Sequence, residues 1–62
     1  MKRHELIHHL ERHGCRFERE GSRHTIFINP ATGDKAPVPR HAEIDNLLAR
    51  KICKQLTVEP MR

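Results

Sequence analysis

The sequence predicts an α+β domain in the order α-β-β-β-α, with a three-stranded antiparallel sheet and both helices on one of its faces. Three observations lead there. Apolar residues at helical spacing occupy the two ends of the chain, over residues 3–13 and 42–56. Between them lie short β-prone runs punctuated by Gly and Pro. Finally, the chain has 62 residues, enough for one small domain over residues 1–62. Two apolar helix faces in so short a chain are buried together only if they share one side of one sheet.

Each element has its own justification. In residues 3–13, Leu6, Ile7 and Leu10 fall on one side, and Gly14 follows as a helix-ending residue. His13 near the end suits the helix dipole when protonated. Residues 15–20 alternate, with Cys15 and Phe17 pointing to the core and Arg16, Glu18 and Glu20 pointing away. Glu20-Gly21 offers a tight hairpin turn in which glycine supplies a positive φ. Residues 22–29 form the second strand. On it His24, Ile26 and Ile28 share one face, and Thr25 and Phe27 the other. With Phe27 in the core, His24 faces outward beside two isoleucines, an apolar pair that calls for a covering partner. With the isoleucines in the core, His24 points inward unless a bulge re-aims it; the first arrangement is the favoured one.

Asn29-Pro30-Ala31-Thr32-Gly33-Asp34 is a turn by composition. Lys35 to Val38 is a short edge strand, because Pro37 and Pro39 cannot donate to a ladder. In residues 42–56, Ile44, Leu47, Leu48 and Ile52 form an apolar stripe with Leu56 at its margin. Glu43 and Asp45 belong to the first turn, and Arg50, Lys51 and Lys54 to the later turns, as the helix dipole favours. Residues 57–62 read as a fraying tail that Pro60 keeps from being helical.

Composition narrows the function. Twelve Lys and Arg against eight acids give a net charge of +4 with His neutral. A small basic domain suits a polyanion partner, most simply nucleic acid, although an acidic protein satisfies charge alone equally well. There is no Trp or Tyr, and Phe17 and Phe27 are the only aromatic hydrocarbon rings. Binding of single strands by base stacking on an aromatic platform is therefore poorly supported. Cys15 and Cys53 are far apart, without a CxxC pattern or a secretory segment, so they read as reduced, mostly buried thiols of a cytoplasmic protein. No run approaches membrane-spanning length.

One motif misleads. His4-Glu5-Leu6-Ile7-His8 matches the zinc-protease pattern H-E-x-x-H. A catalytic zinc needs a third ligand and a walled cleft, which this chain has little material to build. Both histidines also lie opposite Leu6 and Leu10, toward water. They read as a solvated helix face. His9 and His13, also four apart, suit adventitious metal binding at most. No metal or cofactor is expected.

The layout resembles the double-stranded-RNA-binding fold, with the second sheet face left open. In more detail, the chain resembles the HicA family of toxins over residues 3–57. The resemblance rests on an opening helix, a strand, Gly21-Ser22-x-His24, the Asn29-Pro30 turn, and Val38-Pro39-Arg40-His41 ahead of an Ile/Leu-rich helix. It implies a small ribonuclease of a type II toxin–antitoxin system, metal-independent endonucleolytic cleavage of mRNA, and inhibition by a HicB-type antitoxin in a hetero-oligomer. It also implies that His24 is the catalytic histidine. In the family another histidine often precedes it; here that position holds Arg23.

The chemistry fits these residue types independently. Metal-free RNA cleavage uses the 2′-OH as internal nucleophile. It needs a base for that proton, an acid for the 5′-oxygen, and positive charge for the phosphorane. A histidine titrating near neutrality fills either proton-transfer role. Arg23 offers fixed charge and phosphate geometry, while Gly21 and Ser22 offer backbone and hydroxyl contacts. His41, just before the last helix, is the candidate second proton-transfer group. Arg50, Lys51 and Lys54 form a basic flank able to meet phosphates. His24, Ile26 and Ile28 are the expected antitoxin surface. The rival reading is a non-catalytic RNA- or protein-binding module of the same fold. Acidic Glu43 and Asp45 at the start of the second helix count against ordinary duplex binding, which favours a basic helix N-terminus.

Overall fold

The computed structural model describes residues 1–60. Its elements follow the predicted order: α1 (Arg3–Arg12), β1 (Arg16–Glu20), β2 (His24–Asn29), β3 (Asp34–Pro39) and α2 (Asn46–Gln55). The three strands pair antiparallel in the order β1-β2-β3, so β2 is central. Along β2 the burial alternates. Thr25, Phe27 and Asn29 are buried, Ile26 and Ile28 are half-buried, and His24 is exposed. Thr25 stands opposite Val38 and Phe27 opposite Ala36, and residues directly opposed across an antiparallel pair share a face. Leu6 and Leu10 of α1 and Ala49, Ile52 and Cys53 of α2 join Phe27, Ala36 and Val38 in one core. Both helices therefore cover the same side of the sheet, in the double-stranded-RNA-binding layout.

Helix α1 buries Leu6 and Leu10 completely, with Ile7 half-buried at their flank. It ends as its sequence predicts. Gly14 takes φ +89°, a left-handed geometry that glycine adopts without penalty. The Cys15 amide then caps the Leu10 carbonyl at 2.9 Å.

The second helix starts four residues later than its pattern suggests. Residues 1–3 run antiparallel to residues 42–44, with Lys2 and Glu43 as a bridge pair. The Arg3 amide donates to the Ala42 carbonyl and the Ile44 amide to the Met1 carbonyl, each at 2.8 Å. Backbone groups committed to this bridge are not available to a helix. Glu43 thus lies outside α2, and Asp45 is its N-cap residue without a side-chain capping bond. The later start resets the helical phase. Ala49, Ile52, Cys53 and Leu56 form the inward face, at i, i+3, i+4 and i+7. Leu47 is 60% exposed and Leu48 37%; both were expected in the stripe.

Three further expectations change. Phe17 stands opposite Phe27 and points to the helix side, yet it is 52% exposed. Strand β1 is an edge, and α2 packs on β3 at the opposite edge. A β-bulge between Phe17 and Arg19 shifts the register of the remaining pairs. Gly21 does not have a positive φ. Its need for glycine is steric, because a Cβ there would come 3.0 Å from the His24 carbonyl oxygen. The segment after α2 does not fray, since Val58 is buried and its amide donates to the Cys53 carbonyl at 2.8 Å. His9 Nε2 donates to the Glu59 carbonyl at 2.5 Å. The part of the expected tail at positions 61 and 62 lies outside the described residues.

The β2–β3 turn is locked to this segment. The buried Asn29 side-chain amide donates to the Leu56 carbonyl at 2.8 Å, while its side-chain oxygen accepts from the Ala31 amide at 3.1 Å. The Thr57 hydroxyl donates to Asp34 Oδ2 at 2.6 Å. Thr57 itself has φ 57°, an uncommon conformation for a β-branched residue, and this bond helps hold it there. Thr57, then Thr32, holds the Asp34 carboxyl below its ordinary value.

Two outcomes follow from this packing. Asn29→Ala strips a buried carbonyl of its partner and is expected to cost about 1–3 kcal/mol. A thermal melt monitored by circular dichroism reads this as a drop of several degrees; an unchanged midpoint would show that the bond contributes nothing. Both cysteines are buried, and burial, then the neighbouring Cys53, pushes the Cys15 thiol up. A disulfide-exchange reagent at neutral pH should leave both thiols unmodified in the folded protein and titrate both in urea. Rapid modification without denaturant would contradict this burial.

Candidate active site

The predicted histidine sits at the first position of β2, where the β1–β2 hairpin emerges. Three residues, Gly21, Ser22 and Arg23, link the strands. The link is tight because the Gly21 amide donates to the His24 carbonyl at 2.7 Å. Strand parity then aims the side chain. Thr25 points into the core, so His24 points to the open sheet face, the same side as Ile26 and Ile28. His24, Ser22 and Arg23 are all exposed.

The open face can be read from the register. Strand β1 contributes Arg16 opposite Ile28 and Arg19 opposite Ile26. Strand β3 contributes Lys35 opposite Ile28, Pro37 opposite Ile26 and Pro39 opposite His24. Glu18 reaches across to Lys35, whose Nζ lies 2.8 Å from its Oε1. Its second oxygen is buried without a hydrogen bond, 3.8 Å from Arg19 Nε. The result is a strip of Ile26, Ile28 and prolines bordered by Arg16, Arg19 and Lys35, with His24 at one end.

That end is braced by a network which the sequence reading missed. Arg40, just past β3, donates from Nε and Nη2 to Glu20 Oε1 at 3.0 and 2.7 Å. Nη2 also reaches the Gly21 carbonyl at 2.6 Å and the His24 carbonyl at 3.4 Å. The Thr25 hydroxyl donates to the same Glu20 oxygen at 3.0 Å and accepts from Arg3 Nη2 at 3.0 Å. Arg3 Nε donates to the Pro39 carbonyl at 2.7 Å. Arg40 above all, and Thr25 next, hold the Glu20 carboxyl below the usual glutamate range. Glu20 thus stays ionised through the neutral range, and its charge offsets that of Arg40. No local spacing announces this network. Its side-chain hydrogen bonds join residues 5 to 36 apart in the chain, which meet only once the strand register is known.

The other expected residues fall into two groups. His41 follows Pro39 by two residues, and Pro39 stands opposite His24. His41 therefore lies at the His24 end of the sheet, and it is exposed. Arg50, Lys51 and Lys54 are exposed on α2, in the helical layer behind the sheet. The sheet separates them from the face that carries His24, so they do not join its cluster. Of the histidines on α1, His4 and His8 are exposed with ring centroids 6.2 Å apart. Among the described residues, no third His, Cys, Asp or Glu joins them in a group able to hold a metal ion. Likewise, no described helix is long and apolar enough to cross a membrane.

Comparison with known proteins bears on this arrangement as a whole. A family model described as the HicA toxin of bacterial toxin–antitoxin systems matches residues 3–58. No curated protein and no solved structure matches the chain. Since the matched stretch contains both helices, all three strands and the His24 hairpin, this chain belongs to the HicA family of bacterial toxins.

Proposed function

We propose that this toxin is an endoribonuclease that cuts single-stranded mRNA without a metal ion, with His24 as its general acid or base. The observation that carries the reading is the exposure of His24 on an open sheet face, at the end of a hairpin held by several hydrogen bonds. A proton-transfer group must reach its substrate and must also keep its direction. An exposed imidazole on a braced hairpin satisfies both needs.

In the proposed reaction the RNA 2′-oxygen attacks the adjacent phosphorus and the bond to the 5′-oxygen breaks. The products are a 2′,3′-cyclic phosphate and a 5′-hydroxyl. One proton leaves the 2′-OH and one is delivered to the departing 5′-oxygen, and His24 performs one of these transfers. His41, at the same end of the sheet, is the proposed second group. Arg23 is the proposed contact to the non-bridging oxygens, with Gly21 and Ser22 lining the approach. Arg50, Lys51 and Lys54 are proposed to attract RNA at longer range from the helical side.

As a member of a toxin–antitoxin family, the toxin has an antitoxin partner. A HicB-type antitoxin is proposed to cover the open face, burying Ile26 and Ile28 and blocking His24. The cation border of Arg16, Arg19 and Lys35 suits acidic residues on that partner. The site of action is the cytoplasm, where mRNA is translated.

The decisive experiment incubates purified protein with single-stranded RNA in EDTA and compares wild type with His24→Ala. Wild type is expected to cut, and the folded variant to lose at least about a hundredfold in rate, the scale of one acid–base contribution. Equal cutting by both would remove His24 from the chemistry. Binding without cutting by either would support the binding-module reading. For the partner surface, Ile26→Asp or Ile28→Asp is expected to weaken antitoxin binding at least tenfold with only a small change in melting temperature. Parallel losses of binding and stability would make these residues part of the fold rather than of the interface.

A further inference from the structure

We propose that Arg40 is a positioning residue for His24, acting through the hairpin rather than on the substrate. This rests on the ribonuclease reading of the His24 site. Arg40 comes from the far side of the sheet, after β3, and its guanidinium closes on the β1–β2 hairpin. There it binds the last residue of β1 through the Glu20 carboxylate and the first linking residue through the Gly21 carbonyl. It also lies 3.4 Å from the carbonyl of His24 itself. One rigid donor fork thus connects both strands of the hairpin at the point where the imidazole leaves the backbone. The remaining bonds reinforce that geometry. Gly21 donates to the His24 carbonyl, and Thr25, the next residue along, bonds the same Glu20 oxygen.

The contrast with Arg23 defines the role. Arg23 is exposed within the link, and none of the Arg40 contacts involves it. Arg40 has its charge matched by Glu20 at 2.7 Å, and its Nε and Nη2 are engaged by that carboxylate and by the Gly21 carbonyl. A guanidinium so occupied is poorly suited to hold a phosphate, and well suited to hold a loop. The pair is substantially exposed, at 43% and 57% for the two side chains. Its contribution to global stability is accordingly small. The effect belongs to the loop, where a displacement of about 1 Å at a catalytic group can cost about a hundredfold in rate.

The test uses Arg40→Gln, Arg40→Lys and Glu20→Gln in the full chain, with two readouts. The first is amide hydrogen exchange at Gly21, with Phe27 as the internal reference. Loss of Arg40 is expected to speed Gly21 exchange at least about tenfold and leave Phe27 unchanged. The second is RNA cleavage, with kcat, KM and the dependence on salt. Arg40→Gln is expected to lower kcat tenfold to a hundredfold, on the order expected for a misaligned catalytic group, with KM and the salt slope unchanged. Arg40→Lys should recover part of that loss. Glu20→Gln should lower kcat in the same direction, and the double variant should be no worse than the more damaging single one.

A phosphate-binding Arg40 predicts the opposite pattern. KM would rise and the salt slope would fall by about 1 for Arg40→Gln, while Glu20→Gln would release the guanidinium and tighten RNA binding. That pattern, or unchanged Gly21 exchange, overturns the proposal. If wild type does not cut RNA at all, the ribonuclease reading fails on its own. Gly21 exchange then still decides whether Arg40 holds this loop.

Discussion

The structure depends on the two-sidedness of its central strand. Strand β2 has a neighbour on each edge, so its only freedom is which face turns toward the helices. Phe27 decides that, with Thr25 and Asn29 following it into the core. A slip of one residue would send Ile26 and Ile28 inward and expose the aromatic ring, at the cost of the whole core face. The same constraint that buries Phe27 therefore presents His24. Hydrophobic packing is the first determinant of where the imidazole points, and the hairpin bonds refine it.

A core this small needs help at the ends of its sheet, and it receives it from side chains rather than from more apolar area. At one end Asn29 and the Thr57–Asp34 pair lock the β2–β3 turn to the segment after α2. At the other, Arg3 joins the start of α1 to Pro39 and Thr25, and Arg40 joins the exit of β3 to the hairpin. The two ends differ in kind. The Asn29 bond is buried, where an unmatched carbonyl is costly. The Arg40 contacts are exposed and their energy is diluted by water. Such an arrangement suits a fold whose far end supplies stability while the His24 end supplies direction without rigidity of the whole.

Much of this was legible from the residues alone. The order of elements, the edge position of β3 from Pro37 and Pro39 and the glycine stop at Gly14 follow from local pattern, whereas strand parity alone allows His24 on either face and burial of Phe27 selects the outward one. Most of the differences come from contacts made across long stretches of chain. Residues 42–44 look like a helix start because Glu43 and Asp45 obey the dipole rule. The bridge to residues 1–3 overrides it, and Leu47 and Leu48 move out of the core as the phase shifts. Phe17 alternates correctly yet lies beyond the cover of the helices. Gly21 looks like a positive-φ turn residue by local pattern, but what it supplies is space beside the His24 carbonyl. The pairing of Arg40 with Glu20 carries no local signal, because it joins the end of β1 to the exit of β3, which are not sequence neighbours.

On the ribonuclease reading, the open face also accounts for the pairing of this toxin with an antitoxin. A catalytic group in a deep cleft is guarded by the walls of the cleft. His24 has no such walls, since the sheet around it is a strip of half-buried isoleucines and prolines with cations at its border. Under the ribonuclease reading, the features that let RNA approach are the ones that let a protein cover the site. The isoleucines offer apolar area to a partner and nothing specific to a phosphate chain. The border cations serve either visitor. Competition between substrate and antitoxin is then weighted toward the antitoxin by apolar burial, which RNA phosphates cannot match and salt does not screen. Inhibition on such a surface should persist at ionic strengths that already weaken the hold on RNA.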